Sequence, residues 1–244
     1  MPRLFRKRWI EKIVERFVFK KADLVAGANM NNLNYAIASG ARQELTTIFR
    51  YGNLIHPAHR VHPDERSSAD DILESTGLAG HKFAIYIGRL EKIKMPDHVL
   101  MAIAELKKRE YALKCLMVGG GSMKDILLKK ADELGITENI IFVGNMGQEW
   151  IARIAPHATV ALSPHTGRAL TEVALSEAPI VAYNIDWQPE LIKTGETGEL
   201  VEHQDWSAMA NAVEKILDDS VYAKQIGANV RKVAIEMMDP KKLN

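Results

Sequence analysis

The sequence predicts an α/β protein with a Rossmann-like parallel sheet flanked by helices. Three observations carry that expectation. From Lys82 onward, short apolar runs alternate with helical stretches, the pattern of right-handed crossovers between parallel strands. The runs are apolar throughout, as strands covered on both faces are. Glycine-bearing turns fall directly behind several of the runs, at the carboxyl edge where open α/β sheets bind ligands.

Met1–Lys21 is predicted as an amphipathic helix, because Leu4, Ile10, Ile13, Val14, Phe17 and Val18 recur near helical spacing. It is basic, with Arg3, Arg6, Lys7, Arg8, Lys12, Arg16, Lys20 and Lys21 against Glu11 and Glu15. Such a helix can lie on an anionic membrane, although a surface helix with a solvated charged face is the commoner case. A short buried strand follows over Asp23–Ala28, a helix over Asn32–Ser39, a strand over Thr46–Phe49, and a turn at Tyr51-Gly52-Asn53. The polar stretch from His56 to about Gly80, with Pro57, Pro63 and Ser67-Ser68, is expected to be a linker carrying a short helix at Ala69–Ser75. Residues 1–55, 56–80 and 81–244 thus form three segments.

In the third segment, strands are expected at Phe83–Ile87, Leu113–Val118, Asn139–Val143, Thr159–Leu162, Ile180–Tyr183 and Glu199–Glu202. Helices are expected at Pro96–Lys108, Met123–Leu134, Trp150–Ala155, Ala169–Ser176, Trp206–Leu217 and Val221–Met237.

Composition narrows the function. The chain has 244 residues, 47% hydrophobic and 26% charged, enough to bury a sizeable core. A net charge of +1 argues against a dedicated nucleic-acid partner. The single cysteine, Cys115, excludes a disulfide framework and is read as core. No apolar run reaches the ~18 residues of a membrane span, and no signal peptide is evident. The expected location is the cytoplasm, with a membrane surface reached through the basic helix as a second possibility. Asp-x-Asp, H-E-x-x-H, C-x-x-C, G-x-S-x-G and the P-loop pattern are all absent, so no resident metal or cofactor is expected.

Three strand-end motifs remain. Gly88-Arg89-Leu90 with Lys94 places two cations beside a helix start, suited to a diphosphate. Val118-Gly119-Gly120-Gly121-Ser122 lets a ligand approach the backbone, or forms only a tight turn; Lys124 stands where a dinucleotide fingerprint needs glycine. Ser163-Pro164-His165-Thr166-Gly167-Arg168 leads into Thr171 and Glu172. There the first helical turn can meet an anion, and Glu172 can either accept two ribose hydroxyls or serve the helix dipole.

Taken together, these motifs resemble family 4 of the glycosyltransferases, a GT-B group of retaining enzymes, across nearly the whole chain. Lys20-Lys21-Ala22-Asp23-Leu24-Val25 resembles the end of the family's N-terminal domain, and Arg50-Tyr51-Gly52-Asn53 its turn before the linker. Ile87-Gly88-Arg89-Leu90 with Lys94, Pro96 and Asp97 resembles its phosphate loop. Val118–Gly121, Phe142–Gly144, Glu172–Ala174, Pro179–Ala182, Pro189–Ile192 and Gly198–Val201 follow in the family's order.

The resemblance implies that 81–244 is a GT-B C-terminal, nucleotide-sugar-binding domain and 1–55 a remnant of the acceptor domain. The donor would be a UDP- or GDP-type sugar, and the acceptor a carbohydrate or lipid-linked hydroxyl. Arg89 and Lys94 would neutralise the diphosphate, and Glu172 would hold the ribose. Gly88, Gly120, His165, Gly167, Arg168 and Thr171 would line the donor site, with Asn145 and Met146 at the nucleobase. Pro164 stands where the family usually has a glutamate for the donor sugar, so His165 or Arg168 is expected to substitute. With an acceptor domain so short, the chain alone is expected to bind donor but transfer poorly, since orientation supplies much of such catalysis. A non-catalytic nucleotide-sugar-binding or interaction fragment is the alternative, and a nucleotide-sugar epimerase a more distant one.

Overall fold

The computed structural model describes residues 2–49 and 55–238. The chain divides into two compact units, Met1–Leu54 with Met237–Asn244, and Ile55–Glu236. The turn expected at 51–53 lies outside the described residues.

In the first unit, helix α1 (Pro2–Lys21) precedes strand β1 (Val25–Gly27), helix α2 (Met30–Ala38) and strand β2 (Thr46–Ile48). β1 and β2 pair in parallel, Val25 opposite Thr46. The Asn29 side chain caps α2 by accepting from the Asn32 N–H at 2.9 Å, the usual remedy for an orphan first-turn donor. Leu33 and Ala36 turn inward, while Trp9, Ile10, Ile13, Val14, Phe17 and Val18 of α1 stay exposed. Among the described residues no helix is long and apolar enough to cross a membrane.

The second unit opens with short helices α3 (Pro57–Arg60) and α4 (Asp70–Ser75). Strands β3 (Phe83–Ile87), β4 (Lys114–Val118), β5 (Ile140–Gly144), β6 (Val160–Ser163), β7 (Ile180–Tyr183) and β8 (Glu199–Val201) then form one sheet in the order β5-β4-β3-β6-β7-β8. Every pairing is parallel. The order reverses at β3, so a crevice opens at the carboxyl ends of β3 and β6. Between the strands run α5 (Pro96–Lys108), α6 (Lys124–Glu133), α7 (Gln148–Ile154), α8 (Arg168–Ala174) and α9 (Gln188–Leu191). Helices α10 (Trp206–Asp218) and α11 (Ser220–Met238) follow β8. Helix α9 is not among the helices expected from the sequence. Its four residues are too few for a periodicity, and Pro189 at its first turn looks locally like a breaker.

Alternate residues of the strands bury on opposite faces. Ala84, Tyr86, Cys115, Met117, Leu162, Val181 and Tyr183 join one core with Leu100 and Ile103 of α5, Leu127 of α6, Val213 of α10 and Ile226 of α11. Phe83, Ile85, Leu116, Ala161, Ile180 and Ala182 take the other face and are as deeply buried. Cys115 belongs to this core, where burial pushes its thiol up to about 12; it is packing, as expected, and no nucleophile.

The stretch 56–80, polar in sequence, is tied to α7 and to the end of α8 through Arg66. Its guanidinium donates to the carbonyls of His59, Val61, Ala152 and Leu175 and to Ser176 Oγ, at 2.7–3.1 Å. One half-buried cation thus satisfies carbonyls from three parts of the chain.

The turns behind β3 and β4 pass too close for a side chain between them. Gly119 has φ +140°, and a Cβ there would stand 2.0 Å from the Gly88 carbonyl oxygen. Gly119→Ala is therefore expected to cost about 3 kcal/mol or more in urea unfolding. Gly135→Ala, also at positive φ but with nothing within 4 Å, should cost only about 1 kcal/mol.

Candidate functional site

The carboxyl-edge crevice is built on those two turns. Behind β3 the chain makes a sharp exit at Gly88, whose N–H donates to the Val118 carbonyl at 2.9 Å, and Leu90 N–H donates to Gly120 O at 2.9 Å. The Tyr86 hydroxyl donates back to the Arg89 carbonyl at 3.0 Å, and burial raises its pKa, so it stays a donor. The Glu91 carboxylate accepts the Ser122 N–H at 2.9 Å and hydroxyl at 2.7 Å, which holds its pKa below the usual range. Two adjacent turns are thereby clamped, and Arg89 projects from the first of them into solvent.

Lys94 follows at the end of a 3-10 turn, just before Met95 at φ 48° and the Pro96 start of α5. Its ammonium donates to the Thr166 carbonyl at 2.5 Å and lies 3.1 Å from His165 Nδ1. Burial, with the Arg89 charge adding to it, lowers the Lys94 pKa. An anion brought between Arg89 and Lys94 would relieve that repulsion.

The opposite wall is the loop from Ser163 to Gly167 and the first turn of α8. Arg168 is exposed and its Nε donates to Glu172 Oε1 at 2.8 Å, whereas the Glu172 side chain is only 3% exposed. Burial raises the Glu172 pKa, and Arg168, Gln148 and His56 partly offset it. Gly88, Arg89, Lys94, His165, Gly167, Arg168 and Glu172 share one cleft of about 440 Å³ with Tyr86, Gln148 and Pro164. These are the groups needed to meet a diphosphate and, beside it, a pair of hydroxyls.

The remaining expected residues lie elsewhere. Thr171 is buried within α8. Gly120 donates its N–H to Asn145 Oδ1 at 2.8 Å, which ties the turn behind β4 to that behind β5. Asn145 is exposed and Met146 half-buried; neither lines the cleft. Pro164 is buried, and the two side chains expected to replace a carboxylate there are already engaged, His165 with Lys94 and Arg168 with Glu172. Gln148 was missed. Only its place directly behind Gly147, at the start of a helix, could have flagged it. Among the described residues no three His, Cys, Asp or Glu side chains gather into a metal site.

The profile of a family described as "Glycosyl transferases group 1" matches residues 69–233. A D-inositol 3-phosphate glycosyltransferase of Nocardia farcinica is 29% identical over 180 residues, 69% of this chain and 39% of that protein. The fold superposes on Anabaena HepE in complex with UDP with a TM-score of 0.82 at 21% identity, covering 93% of this chain and 63% of that one. For the same protein in complex with UDP-glucose the TM-score is 0.78 at 19% identity, over 96% and 64%. The chain spans less than half the length of the curated relatives it matches.

Lys94 joins the two walls of the cleft through His165 and the Thr166 carbonyl. Lys94→Met should therefore raise amide hydrogen exchange at 165–168 about tenfold, the effect of losing about 1.4 kcal/mol of local protection, and leave the β4 amides unchanged.

Proposed function

The chain belongs to the glycosyl transferases group 1 family, and on that premise we propose that the cleft is the donor site of a glycosyltransferase. The donor would be a nucleoside-diphosphate sugar of UDP or GDP type, and the acceptor a hydroxyl of a carbohydrate or lipid-linked molecule. The observation that carries this reading is the convergence of Arg89 and Lys94 on one side of the cleft and Glu172 on the other. The two UDP-type complexes of HepE support the donor class.

In the transfer, the bond from the anomeric carbon to the β-phosphate oxygen breaks, and the acceptor oxygen bonds that carbon while its proton passes to the departing diphosphate oxygen. Negative charge grows on the departing diphosphate. Arg89 and Lys94 would neutralise it without a divalent ion, Lys94 pinned by Thr166 and so already in place. Loss of one such group removes ~10²–10³ of rate in comparable sites. Glu172, buried and acceptor-only when ionised, would take the ribose hydroxyls. His165 and Arg168 would stand by the sugar and β-phosphate, Gly88, Gly120 and Gly167 would let the ligand close on the backbone, and Thr171 would support α8 beneath it. Asn145 and Met146 would border the base. Retention at the anomeric carbon follows from the family resemblance. The basic α1 would rest on an anionic membrane, which suits a lipid-linked acceptor and a cytoplasmic site of action.

Calorimetry of UDP-glucose and GDP-mannose with the full chain tests the reading. One of the two should bind, and Arg89→Ala should weaken it fivefold or more, about 1 kcal/mol. If neither binds to the folded chain, the donor-site reading is wrong.

A further inference from the structure

Helix α9 sends one side chain back to the loop behind β6. Gln188 is fully buried, and its amide meets three groups at the carboxyl edge of the sheet. Nε2 donates to the Tyr183 carbonyl at 2.8 Å and to the Ser163 carbonyl at 3.3 Å, and Oε1 accepts the Ser163 hydroxyl at 2.7 Å. Carbonyl oxygens only accept, so the amide nitrogen must face them and the amide oxygen must face Ser163. Gln188 thereby joins the end of β6 to the end of β7. Tyr183 carries the frame on to the first turn of α5, its hydroxyl 2.8 Å from His98 Nδ1.

The same amide fixes a proton. Oε1 cannot donate, so the Ser163 hydroxyl gives its one proton to Gln188. The His165 carbonyl, 3.5 Å away, is the poorer acceptor at that distance. Ser163 lines the cleft, and its oxygen then has only lone pairs to offer a ligand. Lone pairs repel ionised phosphate oxygens and accept from hydroxyls. Glu172 already serves the ribose pair in the donor-site reading, which leaves the hydroxyls of the transferred sugar.

We propose that Ser163 Oγ accepts a hydrogen bond from a hydroxyl of the donor's sugar, and that Gln188 is the positioning residue that holds it in that role and sets the course of the loop behind β6. The ligand half of the proposal rests on the cleft being the donor site.

Calorimetry of the full chain with UDP-glucose and UDP, and in parallel with GDP-mannose and GDP, separates sugar from nucleotide. Ser163→Ala should weaken the nucleotide sugar that binds about fivefold, and its nucleoside diphosphate by less than about twofold. Ser163→Thr, which keeps the oxygen, should keep the wild-type ratio of the two affinities. Gln188→Met should lower that ratio about threefold, and no further in the Ser163→Ala background, because it acts through that oxygen. A merely structural Gln188 would weaken both ligands alike and add its loss to that of Ser163→Ala. A ratio unchanged in Ser163→Ala, or an equal loss from Gln188→Met with Ser163 absent, overturns the proposal.

Hydrogen exchange tests the frame without ligand. Gln188→Met should raise exchange at 163–168 about tenfold and leave the β4 amides unchanged; exchange there as in the wild type overturns the positioning role. Circular dichroism checks that each variant folds. Should Gln188→Met fail to fold, Ser163→Ala, which removes one of the three bonds, carries both tests. If no ligand binds the folded wild type, the donor-site reading and the acceptor role fall together, whereas exchange still decides the frame.

Discussion

The turns behind β3 and β4 meet through backbone alone. No side chain fits between Gly119 and the Gly88 carbonyl, and a Cβ on Gly121 would stand 2.4 Å from the Leu90 carbonyl oxygen. The cations of the cleft hang from this contact. Were the two turns further apart, Gly88 could not donate to Val118 nor Leu90 to Gly120, and the segment from Arg89 to Lys94 would lose its fixed course. Backbone bonds on one side and the Glu91–Ser122 clamp on the other hold that segment before any ligand arrives. Such preorganisation is what makes charge stabilisation effective.

The carboxylate wall is built at a cost to the fold. A buried Glu172 whose pKa is raised disfavours the ionised state in the folded chain. Its linkage sign follows: the folded state gains relative stability as pH falls and loses it as pH rises through the Glu172 titration. Arg168, Gln148 and His56 offset part of that loss. The ionised carboxylate is nevertheless the form that accepts two hydroxyls. Burial that costs stability and polar partners that restore charge are the usual signature of a functional acid.

Much of this was legible in the residues. The apolar runs behind Lys82 located the strands to within about two residues, because each run is bounded by turn-forming residues and covered on both faces. Gly88, Arg89, Lys94, His165, Gly167, Arg168 and Glu172 were found by their place behind strands, and the fold brings them to one cleft. What escaped has a common cause. Gln148 and His59 are separated by 89 positions, and neither carries a local pattern, so only the crossover that seats α3 beside α7 reveals the pair. Arg66 lies in a stretch read only as a linker, and three of its five acceptors, on Ala152, Leu175 and Ser176, stand in distant segments. The ion pair of Arg168 with Glu172 has the spacing of helical neighbours but joins two residues that the sequence assigned to different parts of the ligand.

One cleft, at the carboxyl ends of β3 and β6, is proposed to hold the diphosphate and ribose of a nucleotide sugar. A crystal structure of the full chain with UDP-glucose tests this. The diphosphate is expected between Arg89 and Lys94, and both ribose hydroxyls within hydrogen-bond distance of Glu172. Nucleotide bound at any other place, or in the cleft with its ribose away from Glu172, would contradict it.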